Sequence, residues 1–296
     1  MWKGIDVSDN QGVIDWAQVA QKVDFAVLRS VRRSGKTDYH FAVNLEGCRK
    51  YGIPVSVYKY TYATTPEAAR QEAQQVVALL QSHGMTGTMV WWDVEDRGML
   101  QPLGVIKLTE CIRAAQEIIM AAGYSFGLYV GLNVYKERWF DFDAFAGARL
   151  WVARYYKGYH TMQFADDPNQ SYKPSVDRWL TVWQYTSCGE IAGVKGDVDL
   201  DIAYEDPVAW SQPVGEPGVI WCVSIADTYD KAVAQAVAAA YPGSKTHRVK
   251  ALDAGGMELW VASVADVWTK EQAEIARQQF AARGIVGVVH KVKILG

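Results

Sequence analysis

Histidine is scarce in this sequence, five in 296 residues, and none stands at metal-ligand spacing from another, so no metal site is expected. The four cysteines, Cys48, Cys111, Cys188 and Cys222, are scattered without a close pair. Neither a zinc ribbon nor a redox pair is encoded, and buried free thiols are the expectation. No run approaches the ~18 uninterrupted apolar residues of a membrane helix, so membrane insertion is not expected. The opening Met1-Trp2-Lys3-Gly4-Ile5-Asp6 lacks the apolar core of a signal peptide, which predicts synthesis in the cytoplasm. A basic excess is missing too: the net charge of −3 argues against nucleic acid as a partner. There is no phosphate-cradling glycine loop, and no cofactor is called for.

What is present is apolar residue in quantity, 50 % of the chain, enough for a barrel-sized domain with a smaller one beside it. The Pro/Gly-rich segment Ser211-Gln212-Pro213-Val214-Gly215-Glu216-Pro217-Gly218 reads as a linker. It divides the chain into residues 1–210, 211–218 and 219–296. From 219 onward nine basic residues face seven acidic ones, a net +2, leaving 21 against 26, or −5, for the remainder.

Before the linker, strand-length apolar runs alternate with helix-period segments, the pattern of a parallel sheet wrapped by helices. Strands are predicted at Ile5–Val7, Phe25–Val31, Val55–Tyr62, Met89–Val94 and Phe126–Val130, with helices such as Pro66–Leu80 and Leu108–Ala121 between them. Three more runs, Leu150–Tyr155, Thr181–Tyr185 and Val198–Tyr204, follow without regular helices. The prediction is an α/β fold: an irregular TIM-like barrel of five β/α units plus three strands.

After the linker the sequence repeats at a shift of 39 residues, placing Trp221 on Trp260, Ser224 on Ser263, Asp227 on Asp266, Lys231 on Lys270, Ala234 on Ala273 and Val249 on Val288. Each copy reads strand, helix, strand, which predicts a small α+β ferredoxin-like domain.

The chemistry concentrates in Met89-Val90-Trp91-Trp92-Asp93-Val94-Glu95-Asp96, an apolar strand that turns acidic at its C-terminal end. Strand side chains alternate, so Asp93 and Glu95 face the same way, with Cα atoms about 6.5 Å apart. Asp6 ends the first strand in the same manner, and Asp199 lies in the last strand-like run, its neighbour in a closed barrel. For Asp6, followed by Ser8, Asp9 and Asn10, a turn or cap role is the competing reading. Carboxylates without histidine, cysteine or a phosphate loop suit glycoside hydrolysis, in which one acid protonates the leaving oxygen and another carboxylate stabilises or attacks the anomeric carbon. Crowding by Asp93 and Asp6, together with Trp91 or Trp92 nearby, should raise the Glu95 pKa. Aromatic side chains on these strands, among them Tyr62, Tyr129, Trp151 and Trp183, are candidates to stack on sugar rings, although alternation sends about half of them into packing.

Residues 1–206 resemble glycoside hydrolase family 25, the Chalaropsis-type lysozymes common among bacteriophage endolysins. The resemblance is carried by Gly4-Ile5-Asp6-Val7-Ser8 with Asn10-Gln11-Gly12, Gly52-Ile53-Pro54, Trp92-Asp93-Val94-Glu95, Leu150-Trp151-Val152-Ala153-Arg154-Tyr155, Trp183-Gln184-Tyr185 and Val198-Asp199-Leu200, in that order. It implies hydrolysis of the β-1,4 bond between N-acetylmuramic acid and N-acetylglucosamine, with Glu95 as general acid and Asp93 stabilising an acetamido-assisted intermediate. Asp6 and Asp199 match the remaining acids, and peptidoglycan is the implied partner. Two departures stand out: Arg29-Ser30-Val31-Arg32-Arg33 replaces a Lys-x-Ser/Thr-Glu-Gly element, and Asp201 stands where Asn is common.

The C-terminal repeat, most clearly Glu258–Val264 with Lys270–Arg283 and Gly284–Val288, resembles a SPOR domain, which implies binding to glycan strands. Phage-type deployment follows as an expectation, with release from the cytoplasm through a separate pore-forming protein. The alternatives are a non-catalytic peptidoglycan-binding protein, a metal-dependent deacetylase, for which paired histidines are missing, and a chitinase-like barrel, whose longer run of alternating aspartates is interrupted by Trp91.

Overall fold

The structure is a computed structural model, and it describes residues 1–211, 219–241, 244–267 and 270–295. All of the predicted linker except Ser211 lies outside the described residues. The chain divides into two compact units, one of Met1–Phe142, Ala148–Ser175 and Leu180–Pro213, the other of Asp143–Gly147, Val176–Trp179 and Val214–Gly296. Among the described residues no helix is long and apolar enough to cross a membrane. Three cysteines are buried as expected, whereas Cys188 is half-buried on a strand; all four are free thiols.

In the first unit the strands are β1 (Trp2–Val7), β2 (Phe25–Arg29), β3 (Val55–Tyr60), β4 (Met89–Asp93), β5 (Ser125–Gly131), β6 (Arg149–Ala153), β7 (Met162–Gln163), β8 (Val182–Glu190) and β9 (Val198–Ala203). The helices are α1 (Trp16–Val19), α2 (Phe41–Lys50), α3 (Pro66–Ser82), α4 (Gly104–Ala121) and α5 (Leu132–Glu137). Strands β1 to β6 pair in parallel with their sequence neighbours. A parallel β6–β8 pairing and an antiparallel β9 between β8 and β1 close an eight-stranded barrel, with β7 attached to β8. This is the predicted plan of five β/α units followed by three strands.

The helices form where the sequence supplies both a stripe and a start signal. In α3, Thr65 accepts from the Ala68 amide, Pro66 opens the first turn, and Ala69, Ala73, Val76 and Leu80 repeat on one buried face. In α4 the buried stripe is Leu108, Cys111, Ile112, Ala115 and Ile119. The barrel interior is filled by Phe25, Val27, Met89, Trp91, Tyr129, Trp151, Val182, Ala203 and Trp210. A Cβ at position 127 would lie 2.5 Å from the Trp91 ring, so glycine there makes room for the indole.

The second unit runs β10 (Val219–Thr228), α6 (Lys231–Ala239), β11 (Lys245–Ala251), β12 (Met257–Val267), α7 (Lys270–Ala281) and β13 (Val288–Ile294). The order β-α-β-β-α-β is the one the repeat predicts. Strand β10 lies between β12 and β13, and β11 pairs with both of them, so the sheet closes on itself instead of leaving open edges. Ser224 and Ser263, one from each copy, face each other across β10 and β12 and are both buried. Lys231 of the first copy lies 5.0 Å over Trp260 of the second, and Lys270 lies 5.8 Å over Trp221, a reciprocal exchange between copies. One alignment pair fails: Val288 is 54 % exposed, and the buried counterpart of Val249 is Val292. Their separation is 43 residues instead of 39, so the second copy carries four extra residues before its last strand.

Candidate active site

The parallel strands of the barrel present their C-terminal ends at one mouth, and alternation decides what faces inward there. On β4 the inward column is Met89, Trp91, Asp93, and on β1 it is Trp2, Gly4, Asp6. On the antiparallel β9 the column runs in reverse, Ala203, Asp201, Asp199, with Asp6 opposite Asp199 and Gly4 opposite Asp201. Each column is apolar or small below and acidic above. Glu95 follows directly: the Asp93 carbonyl accepts from the Thr61 amide and the Val94 amide donates to the Tyr129 carbonyl, so the chain is pinned on both sides up to the residue before it. Asp6 is not a turn cap. The turn after β1 is capped by Ser8, whose hydroxyl accepts from the Asn10 amide, and by Gln11, which accepts from the Ser8 amide.

Asp6, Asp93 and Asp201 are buried, Asp199 is half-buried, and Glu95 keeps an exposed surface at the mouth. Burial, then Glu95 and Asp6, push the Asp93 carboxyl well above the usual range, with Lys59 pulling weakly the other way. The Glu95 carboxyl rises to about 7 because surrounding protein removes water from one side of it and Asp96 adds like charge. Asp199 is raised by burial and then by Asp6 and Glu95. These mutual effects put the four predicted acids, Asp6, Asp93, Glu95 and Asp199, within reach of one another's charge. Trp91 lies in the apolar interior below the mouth, while Trp92 points out of the barrel toward Phe126.

Two cations on the strands at this end, Arg29 and Lys59, are committed to other carboxylates. Arg29 Nε donates to Asp38 at 2.7 Å and its Nη2 pairs with Asp9, so the residue that departs from the expected basic element is a clamp between two loops. Lys59, 1 % exposed, lies 3.4 Å from Glu72 and also donates to the Tyr60 carbonyl. Asp93 Oδ1 is buried without a hydrogen-bond partner. Among the described residues no group of three or more His, Cys, Asp or Glu is arranged to hold a metal ion.

Of the aromatic candidates, Tyr62 is half-buried beside the acids, stacked on Tyr60 with ring centroids 4.6 Å apart and covered by the Arg33 guanidinium at 4.6 Å. Asp93 and Asp96 act on both tyrosine hydroxyls and Glu95 acts on that of Tyr60. The other three are corrections. Trp151, 1 % exposed, sits one layer below the acids and donates its indole N–H to Asp201 at 2.8 Å. Tyr129 is buried and donates to Gln184 at 2.8 Å, which makes it a support and not a sugar platform. Trp183 is fully buried on the outward side of β8, against Tyr156 and Tyr185, with its N–H on the Arg154 carbonyl.

Sequence reasoning passed over Gln184, whose amide nitrogen donates to Asp6 at 2.7 Å while its oxygen accepts from Tyr129 and from Tyr155 at 2.6 Å. The signal was available: Val182 belongs to the interior, so the residue two further on points to the same side, toward the acids. Tyr60, on the same strand column as Tyr58, was among the strand aromatics that the sequence offers as candidates for sugar contact, and it stands with Tyr62 beside the acids.

Residues 5–194 match the family Glycosyl hydrolases family 25. The autolytic lysozyme of Clostridium acetobutylicum is 21 % identical over 217 residues, covering 73 % of this chain and 60 % of that protein, so the chain spans only part of its relative's length. The catalytic domain of endolysin ply40 from bacteriophage P40 of Listeria monocytogenes is similar in structure, with a TM-score of 0.57, 26 % identity, and coverage of 71 % of this chain and 97 % of that one. The modular autolysin LytC of Streptococcus pneumoniae, solved with a synthetic peptidoglycan ligand, has a TM-score of 0.54 and 27 % identity over 69 % of this chain and 46 % of LytC. The closed barrel, the acidic mouth and the matched segment agree: the chain belongs to glycosyl hydrolase family 25.

Proposed function

We propose that this glycoside hydrolase is an N-acetylmuramidase that cuts the β-1,4 bond between N-acetylmuramic acid and N-acetylglucosamine in bacterial peptidoglycan. The observation that carries the reading is the pairing of Glu95, whose pKa of about 7 lets it hold a proton near neutrality, with Asp93, whose buried Oδ1 has no partner. Glu95 gives its proton to the leaving glycosidic oxygen. Asp93 accepts from the N–H of the substrate's 2-acetamido group as that group's carbonyl oxygen attacks the anomeric carbon. Water then opens the resulting ring, returning the proton to Glu95. Asp6 and Asp199 shape the charge around this pair, and Tyr62 with Tyr60 offers a stacking face for a sugar ring.

The second unit, in this reading, is a SPOR-like wall-binding module that raises the local concentration of substrate. Its internal repeat and net +2 charge support this. Deployment as an endolysin, with release through a separate pore-forming protein, is supported by the likeness to the ply40 catalytic domain.

The test is chemical. Peptidoglycan digested with the purified chain is reduced with borohydride, and the new ends are identified by mass spectrometry. Reduced muramic acid ends are expected; reduced glucosamine ends would overturn the bond assignment, and intact glycan would favour a protein that binds the wall without cutting it.

A further inference from the structure

Beneath the catalytic pair lies a second pair of carboxyls that the mechanism above does not use chemically. Asp201 is 0 % exposed and Asp6 is 5 % exposed. Asp201 Oδ1 accepts from the Trp151 indole, but Oδ2 has no N–H or O–H to accept from. On the paired strands β1 and β9, Asp201 stands opposite Gly4 and Asp6 opposite Asp199, so the two buried carboxyls are diagonal neighbours on one inward face and each acts on the other's charge. Two ionised carboxylates have no donor to offer each other, so a bond between these neighbours, which would satisfy the orphaned Asp201 Oδ2, requires a proton on one of them. Asp6 is also held by Gln184 Nε2, and Gln184 is held in turn by two tyrosine hydroxyls, so neither acid can swing away.

We propose that Asp6 and Asp201 hold one proton between them, and that Asp201 is a positioning residue that keeps Asp6 uncharged beside Asp93 and Glu95. The proton belongs on Asp6, because Asp6 faces Glu95, Asp93 and Asp199, whereas Asp201 faces Asp199. The other titratable groups around the pair do not supply a counter-charge. Arg29 on β2 is taken by Asp9 and Asp38. Tyr58 on β3, Tyr129 on β5, Tyr155 after β6 and Tyr185 on β8 are phenols that burial pushes away from ionisation. One proton therefore spares the mouth a further anion.

The experiment is an NMR titration of the full chain with 13C-labelled aspartate carboxyls, comparing wild type with Asp201→Asn, Asp6→Asn and Asp93→Asn. The carboxamide introduced by Asp201→Asn would keep the Trp151 bond and donate its own N–H to Asp6, so the fold is retained while the need for a shared proton disappears. An aspartic acid signal that stays protonated through neutral pH, is lost in both Asp6→Asn and Asp201→Asn, and survives in Asp93→Asn is the expected result. In Asp201→Asn the Asp6 carboxyl should titrate about two pH units lower than in wild type. Identical Asp6 titration in wild type and Asp201→Asn, or a wild type with both carboxyls ionised at neutral pH, would overturn the pair.

The catalytic consequence rests on the muramidase reading and is read separately. An ionised Asp6 in Asp201→Asn raises the Glu95 pKa, so the alkaline limb of kcat/KM moves to higher pH. A limb that stays put while the NMR changes as expected would count against Glu95 as the acid and leave the shared proton standing.

Discussion

The two ends of the barrel interior treat buried charge in opposite ways. At the base, Arg149 Nε and Nη2 donate to Glu205 Oε1 at 2.9 and 2.6 Å, and Nη2 also reaches the Ala209 carbonyl. Beside them Trp210 packs edge-on against Phe25 and Trp91. At the mouth, at the other end of the interior, five acids converge while Arg29 and Lys59 are bound to other carboxylates. A buried charge that is paired adds little net stability but is costly to break, whereas like charges crowded together cost stability throughout. The base is built to hold its pair closed, and the mouth is built to keep protons where water would remove them.

The largest effect expected from this contrast is on turnover. Glu95→Gln preserves shape but cannot supply a proton, so peptidoglycan clearance should fall about 10²–10⁴-fold with no loss of melting midpoint, since removing a carboxyl raised to about 7 lifts stability at neutral pH if it changes it at all. A comparable loss accompanied by unfolding would erase the distinction between the two ends. Next comes the base: Arg149→Ala leaves Glu205 buried and unpaired, and denaturant titration should register a loss of about 3–5 kcal/mol. A cost below about 1 kcal/mol, read against the same scale, would mean that the pair is solvated and the base no different from a surface.

The smallest effect has the opposite sign. The folded-state pKa of Asp93 is raised above its unfolded value, so the native state binds more protons than the unfolded one, and stability falls as pH climbs from about 4 through the folded value. Asp93→Asn should therefore melt higher than wild type at neutral pH, by about 1 kcal/mol, and the gain should vanish below pH of about 4. A gain that is independent of pH would assign it to packing instead of charge.

Much of this contrast was readable in the sequence, because strand alternation needs no tertiary knowledge. Asp93 and Glu95 share a face by counting, and closing eight strands brings Asp199 beside Asp6. What alternation alone does not give is depth. Trp151 points inward but stops one layer short of the mouth, and Trp183 falls on the outer side because its neighbours Val182 and Gln184 take the inner one. Gln184 and Asp201 were illegible for a related reason: a polar residue in an apolar strand looks like a departure until its partner on the next strand is known. In the second unit the ungapped repeat located both copies, but the four residues inserted before β13 shifted the buried position from Val288 to Val292. Solvent exposure, and not residue type, separates those two valines.

The most direct measurement is the pH dependence of kcat/KM on purified peptidoglycan. The crowded mouth predicts an alkaline limb close to the Glu95 value of about 7, where the acid loses its proton, and a limb displaced downward when Asp96→Asn removes the adjacent charge. A limb at the ordinary carboxylate range near about 4.3, or one indifferent to Asp96, would contradict the account, since the mouth would then hold no proton that water does not already control.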